Sequence, residues 1–274
     1  MPIHHIGLCS WSVQPESPKS LVAALAAAEI DSVQLAMTPC VQEHARWADV
    51  MGHLSDAGIT VLSGMMEPVG EDYSSLDAIA RTGGVRQDEH WPANELMAKQ
   101  IASFAAEHEV GLVTMHAGFL PGSSDDPERS KILDRLAVCV DVFADQGVRL
   151  AFETGQETAA TLLDVLAELD RPTLGVNFDP ANMILYAKGD PIDSFQALAA
   201  HVMQVHVKDA VPTQQPGTWG TEVPAGTGAV DWDAFFDVLA SLPEPVNAII
   251  EREGGTDRIN DVRIANELVK GCIC

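Results

Sequence analysis

Eight short runs rich in Val, Ile and Leu recur along this 274-residue chain, each followed by a longer segment with helical spacing. The runs fall at 3–9, 32–37, 59–64, 111–116, 148–153, 173–178, 202–207 and 246–251. They are short and bounded by Gly or polar residues, as strands buried on both faces must be. Between them, Ser17-Pro18 reads as a cap and first helical position ahead of an alanine-rich helix. Segments 41–56, 93–109, 128–145, 157–168, 192–200, 231–240 and 258–269 carry apolar residues at three-and-four spacing. Eightfold alternation predicts an α/β fold closed as a (β/α)8 TIM barrel, a single domain over residues 1–274. An open doubly wound sheet is the competing arrangement. Strand number and length favour closure, and no G-x-G-x-x-G follows the first strand.

Charge decides which partners such a barrel can take. Sixteen basic residues face forty acidic ones, a net charge of −24. That field repels phosphate backbones and anionic lipid, so neither nucleic acid nor a membrane is expected as a partner. It leaves room for a small molecule held by a local patch. Cys9, Cys40, Cys139, Cys272 and Cys274 show neither zinc-ribbon nor secreted-framework spacing, which reads as reduced thiols in a cytoplasmic protein. The N-terminus has no basic region followed by an apolar run, and no stretch approaches a membrane span. A homo-oligomer is left open.

Two connections exceed ordinary length: 65–92 after the third strand, and 209–230, rich in Gly and Pro, after the seventh. Both would overhang the C-terminal face of a barrel, where such folds keep their sites. Four strand ends there finish in metal-ligand residue types. Glu153 closes the fifth run, Asp179 follows the sixth, His206 lies in the seventh and Glu251 closes the eighth. Consecutive candidates are 26, 27 and 45 residues apart, the last interval enlarged by the long loop. One βα unit is about 30 residues, so the spacing sets the four on adjacent strands. Burying three carboxylates together without a cation is expensive. Three carboxylates and one imidazole make a mostly oxygen site for one divalent ion, with Mn²⁺ favoured and Mg²⁺, Co²⁺ or Zn²⁺ admissible.

The segments A-F-E-T (151–154), G-V-N-F-D-P-A-N (175–182), V-H-V-K-D (205–209), P-A-G-T-G-A-V-D-W (224–232) and I-I-E-R-E-G-G (249–255) stand in one order and register. In that arrangement the chain resembles the sugar phosphate isomerase/epimerase superfamily, the xylose isomerase-like barrels. The resemblance spans nearly the whole chain and is strongest in the C-terminal half. It implies a metal-dependent isomerase or epimerase of a small carbohydrate or polyol ketone. Glu153, Asp179, His206 and Glu251 would be the metal ligands, with Glu153 and Glu251 as catalytic acid/base groups on opposite substrate faces. A hydro-lyase of the inosose dehydratase kind would use the same four residues. An apurinic endonuclease shares the barrel but needs several zinc ions and more histidines; a noncatalytic metal- or sugar-binding barrel is the remaining alternative.

Departures from the superfamily pattern bear on substrate. Asn182 stands where many relatives have His, Ala210-Val211-Pro212 where sugar epimerases tend to place a substrate-binding Arg, and Gln34 where the second strand often ends in Glu. Asn182 is expected at the substrate, as are His116 at the end of the fourth strand, Lys208 on the same side as His206, and Trp11 as a stacking platform. Asp209 is expected to orient a partner of the ligands, and Glu67 is a weaker loop candidate. His4, His5, His44, His53, His90, His108 and His201 read as structural or solvent-facing.

Overall fold

The computed structural model describes residues 3–123, 125–215 and 217–273. Pro216 of the second long loop and Cys274 lie outside them. The strands are β1 (Ile3–Cys9), β2 (Ser32–Ala36), β3 (Thr60–Met65), β4 (Leu112–His116), β5 (Arg149–Glu153), β6 (Leu174–Phe178), β7 (Val202–Val207), β8 (Asp209–Val211), β9 (Thr221–Val223) and β10 (Val246–Ile250). Strands β1–β7 and β10 pair in parallel as a closed barrel in the order β1-β10-β7-β6-β5-β4-β3-β2. Every strand run read from the sequence lies in this barrel, and the (β/α)8 expectation holds.

Local chemistry starts the helices where the sequence placed them. The Ser17 hydroxyl accepts from the Ser20 amide while the Ser20 hydroxyl accepts from the Ser17 amide, a reciprocal cap ahead of Pro18–Ala28. Asp126, Thr158, Asp190 and Asp231 likewise cap Pro127–Asp145, Ala159–Leu169, Pro191–Leu198 and Trp232–Ala240. Trp91–Glu107 and Arg258–Ile273 complete the longer helices. Their apolar faces close on the outside of the barrel. Phe178 of β6 stacks at 4.5 Å on Phe195, which meets Phe235 at 4.9 Å, tying two helices to the strand. Each such buried ring contributes about 1.5–3 kcal/mol.

Three segments differ from the sequence reading. The helix expected at 41–56 is three pieces, Met37–Gln42, His44–Trp47 and Val50–Asp56, interrupted at Glu43 and Asp49, which leave helical dihedrals. Buried Cys40, Trp47, Val50 and Leu54 keep three-and-four spacing across both breaks, so periodicity alone conceals them. The 65–92 connection contains a helix, Leu76–Thr82, capped by Ser75. The 209–230 connection contains an antiparallel hairpin of β8 and β9. One further helix, Pro180–Leu185, follows β6 directly. Among the described residues, no helix is long and apolar enough to cross a membrane, and Cys9, Cys40, Cys139 and Cys272 are free thiols.

Candidate metal centre and mouth cavity

Register delivers the four ligand-type side chains to one place. Glu153 of β5 pairs with His116 of β4 on one side and Asn177 of β6 on the other. On β7, His206 is level with Ile249 of β10, and the Glu251 amide continues that ladder by donating to the Val207 carbonyl at 3.1 Å. Asp179 caps the helix Pro180–Leu185: its Oδ1 accepts from the amides of Ala181 (2.8 Å) and Asn182 (3.0 Å). This leaves Oδ2 facing His206 Nδ1 and Lys208 Nζ, each at 3.7 Å. One ligand atom from each of Glu153, Asp179, His206 and Glu251 lies within 4.8 Å of the others, and all four residues are buried.

Two atoms of this set test whether a cation fits. Asp179 Oδ2 and His206 Nδ1 are both buried and have no hydrogen-bond partner. His206 Nδ1 faces Glu251 Oε2 at 3.4 Å, Glu153 Oε1 at 3.5 Å and Asp179 Oδ2 at 3.7 Å. Those separations are long for hydrogen bonds. Buried polar atoms are nearly always satisfied, and here the exceptions converge on one point with two more carboxylates. A divalent ion bound by three oxygens and one nitrogen satisfies them, so the donor set fits one.

The opposite edge of His206 is fixed from the barrel interior. Gln34 Nε2 donates to Thr114 Oγ1 at 2.8 Å, which turns the Gln34 carbonyl oxygen to His206 Nε2, also at 2.8 Å. That oxygen requires a proton on Nε2, so the Nδ1 lone pair points to the carboxylates. Asn177 Nδ2 lies 3.0 Å from the same ring nitrogen but donates to Glu153 Oε2 at 3.2 Å, and its Oδ1 accepts from Gln204. Gln204 in turn accepts from Ser63 at 2.7 Å. All these side chains are buried, so a polar layer replaces aliphatic packing beneath the site.

Lys208 offsets part of the negative charge in the centre. Lys208 donates to Glu251 Oε2 at 2.8 Å and to Glu253 Oε2 at 2.7 Å, with Asp179 Oδ2 at 3.7 Å. Burial pushes the Glu251 carboxyl up, but Lys208 and His206 outweigh it and hold it well below the carboxylate range. Glu153 is also held down, burial being overcome by His206 and His116. For Asp179 burial wins over Lys208, and the group is raised. Burial lowers His206, yet Glu153 and its other anionic neighbours raise it well above the imidazole range. Because Gln34 already holds the Nε2 proton, the titrating proton sits on Nδ1, the atom a metal would take. Proton and metal therefore exclude each other there.

The other expected residues gather around this centre. Trp11 donates its indole N–H to Glu251 Oε1 at 2.6 Å. Asn182 donates to Glu153 Oε1 at 3.1 Å; Gly155 makes room for it, since a Cβ there would meet the Asn182 Cβ at 2.3 Å. His116 Nε2 lies 3.6 Å from Glu153 Oε1, and its Nδ1 is buried without a partner. Glu67 is exposed at the cavity rim. None of the seven remaining histidines is buried. Asp209 corrects its expectation. It touches none of the four ligand types and instead binds the backbone of its own loop, accepting from Gly226 (2.9 Å), Gly228 (3.0 Å), Val230 (3.2 Å) and Trp232 Nε1 (3.0 Å). Its chain neighbour Lys208 alternates to the barrel side, while Asp209 faces the loop.

Above the centre opens a cavity of about 810 Å³, walled by both long connections. Sequence reasoning did not single out Glu71, Tyr186, Trp219 or Glu253, which line it. Glu253 had a signal, two residues beyond Glu251 in an extended segment. The others reach the cavity only through loop geometry. Glu157, in the connection after β5, is another omission: burial raises it to about 8, and one of its oxygens has no hydrogen-bond partner.

The profile of the family described as the xylose isomerase-like TIM barrel matches residues 22–270. The chain belongs to this family. Within the xylose isomerase-like barrels, curated relatives match over shorter stretches. A protein called YihM from Escherichia coli K12 is 33% identical over 115 residues, 41% of this chain and 35% of its own. The 3-oxo-isoapionate decarboxylase of Pectobacterium atrosepticum is 27% identical over 46% of both chains. The 3-dehydroshikimate dehydratase of Bacillus anthracis is 29% identical over 40% of this chain and 41% of its own. The matched stretch thus spans less than half the length of each of these relatives.

Among solved structures, a xylose isomerase domain protein from Planctomyces limnophilus superposes with a TM-score of 0.86 at 29% identity, covering 99% of this chain and 97% of its own. D-allulose 3-epimerase from a Methylomonas species, bound to D-allulose, gives 0.72 at 15% over 97% and 96%. A Mycobacterium smegmatis barrel in complex with magnesium gives 0.70 at 14% over 94% and 89%. The last two share the fold. Neighbours with a named activity include ketose 3-epimerases, a dehydratase and a decarboxylase.

Proposed function

We propose that this chain is a divalent-metal-dependent enzyme that abstracts the proton beside the carbonyl of a small carbohydrate or polyol ketone and returns it, as an isomerase or epimerase. The carrying observation is the convergence of unpartnered Asp179 Oδ2 and His206 Nδ1 with the carboxylates of Glu153 and Glu251 beneath a wide cavity. Glu153, Asp179, His206 and Glu251 hold the ion in this reading, Mn²⁺ being favoured and Mg²⁺, Co²⁺ or Zn²⁺ admissible; a structural neighbour carries magnesium. When bound, the ion supplies Lewis acidity to the substrate's carbonyl and neighbouring hydroxyl oxygens.

The remaining work falls to the chain. One of the two glutamates accepts the α-proton; the C–H electron pair moves into the carbonyl, giving an enediolate. For the carbon to invert, the other glutamate must enter the cycle protonated; it delivers its proton to the opposite face, and the two carboxyls end with exchanged protonation states. Asn182 and Asn177 hold Glu153 by hydrogen bonds, and Trp11 and Lys208 hold Glu251, so neither carboxylate is free to turn. His116, Lys208, Asn182 and Trp11 line the same cavity and are proposed to contact substrate. We place the enzyme in the cytoplasm, as one domain over residues 1–274, acting without nucleic acid or membrane.

A lyase outcome has its own support, since curated relatives similar in sequence include a dehydratase and a decarboxylase. There the enediolate would expel a β-hydroxyl as water instead of regaining a proton. Both outcomes share the first step, and that step is testable. At saturating Mn²⁺, Glu153→Gln and Glu251→Gln should each lower turnover about 10²–10⁴-fold, because an amide cannot accept the proton. Normal turnover in both variants would contradict the two-carboxylate mechanism.

A further inference from the structure

Resting on the metal reading of Glu153, Asp179, His206 and Glu251, we propose that Lys208 is a built-in second cation. Its ammonium stands at the second position of a carboxylate-bridged two-ion centre, and by standing there it limits the native chain to one metal ion. Removing the ammonium while leaving its oxygens opens that position to a second divalent ion.

The geometry is one of shared oxygens. Glu251 Oε2 lies 2.8 Å from Lys208 Nζ and 3.4 Å from His206 Nδ1. Asp179 Oδ2, buried and without a hydrogen-bond partner, lies 3.7 Å from both nitrogens. The same two carboxylate oxygens therefore face the metal-ligand edge of His206 and the ammonium, as bridging oxygens face two ions about 3.5–4 Å apart. Two further oxygens attend the ammonium: Glu253 Oε2 at 2.7 Å and Asn182 Oδ1 at 3.4 Å. Three carboxylates and one amide carbonyl make an all-oxygen set, which suits a hard divalent ion as well as an ammonium. The oxygens need only close to about 2.0–2.6 Å to become ligands.

Charge gives the ammonium its second-ion role. Glu153, Asp179, Glu251 and Glu253 bring four carboxylates together around the centre. Among the described residues, Lys208 is the one Lys or Arg paired with any of them. A divalent ion and an ammonium together offset three of those four charges. Without the ammonium the buried oxygens repel one another, a cost that a second ion removes. Lys208 itself is buried, whereas Glu253 is half exposed and lines the mouth cavity, so an ion has a path to the vacated space.

The experiment compares the native chain with Lys208→Ala, Lys208→Ser and Lys208→Met, each purified in Mn²⁺. Bound metal is measured after equilibrium dialysis, and the electron paramagnetic resonance of the bound Mn²⁺ is recorded. The native chain should hold about one ion, with the spectrum of an isolated Mn²⁺. Lys208→Ala and Lys208→Ser should hold about two, with the spin-coupled spectrum of ions that share carboxylate oxygens. Lys208→Met, whose neutral side chain still fills the space, should stay at about one. A single ion in both small variants overturns the proposal. So does a second ion without spin coupling, which marks an adventitious surface carboxylate, and so do two coupled ions in the native chain or in Lys208→Met. If neither small variant folds, crystals of the native chain soaked in Mn²⁺ carry the test. Anomalous scattering should then show a single peak with Nζ still on Glu251 and Glu253, and a second peak in place of the ammonium would contradict the proposal. The metal reading fails separately, if the native chain binds no ion.

Discussion

Gln34 lies against the edge of His206 opposite the three carboxylates, and that position has a definite consequence. Its amide, oriented by Thr114, keeps a proton on His206 Nε2 and so presents the Nδ1 lone pair to the carboxylates. Against the opposing effect of burial, surrounding acids, Glu153 first, raise His206 above the imidazole range, which favours a proton on Nδ1 when no metal is bound. The sign follows: metal binding must release this proton, and apparent affinity falls as pH drops below the raised value, by up to about tenfold per pH unit. Calorimetric titration with Mn²⁺ in buffers of different ionisation enthalpy should report about one proton released at pH 7. In Gln34→Leu, which removes the acceptor, Mn²⁺ affinity should fall about 10–100-fold. An affinity independent of pH and unaltered in Gln34→Leu would contradict this account of His206. The ligand-type residues were legible because each lies at or next to the C-terminal end of a strand. Gln34 was visible as a departure, but its partner was not, since Thr114 lies 80 positions away.

At the scale of elements, the connection after β7 owes its shape to one carboxylate. Asp209 accepts from four backbone amides, those of Ala210, Gly226, Gly228 and Val230, and from the Trp232 indole N–H, tying the two ends of this connection together below Trp219 and Gly220, which line the cavity. Asp209→Ala leaves these donors without their acceptor, each unsatisfied group costing about 1–3 kcal/mol. The expected outcome is a urea midpoint lowered by the equivalent of at least about 2 kcal/mol and faster proteolysis within the loop, with Mn²⁺ stoichiometry retained. An unchanged midpoint would show that the loop is held by other contacts. Gly and Pro content marked this segment as a long functional connection. It did not reveal the hairpin, because β8 and β9 are three residues each and too short for a period-two pattern. The helix Pro180–Leu185 was hidden for a related reason: Asp179-Pro180 is a helix start as well as a candidate ligand, and one carboxylate oxygen caps the helix while the other is left unpartnered.

Across the whole molecule, closure of the barrel converts sequence spacing into proximity. Residues 153 and 251 are far apart in the chain, yet strands β5, β6, β7 and β10 are consecutive neighbours, so four ligand types share one quadrant. That much follows from alternating β and α segments of nearly constant length. Substrate preference does not, because the cavity wall is made by two connections whose paths depend on caps and tertiary hydrogen bonds. The central claim is that Glu153, Asp179, His206 and Glu251 together hold one divalent ion. Metal analysis after equilibrium dialysis against Mn²⁺ tests it most directly, comparing the native chain with Asp179→Asn, whose remaining side-chain oxygen can still cap the following helix. The account predicts about one ion per native chain and a large loss in the variant, since the carboxylate charge goes. Undiminished stoichiometry in Asp179→Asn at equal free Mn²⁺ would contradict it.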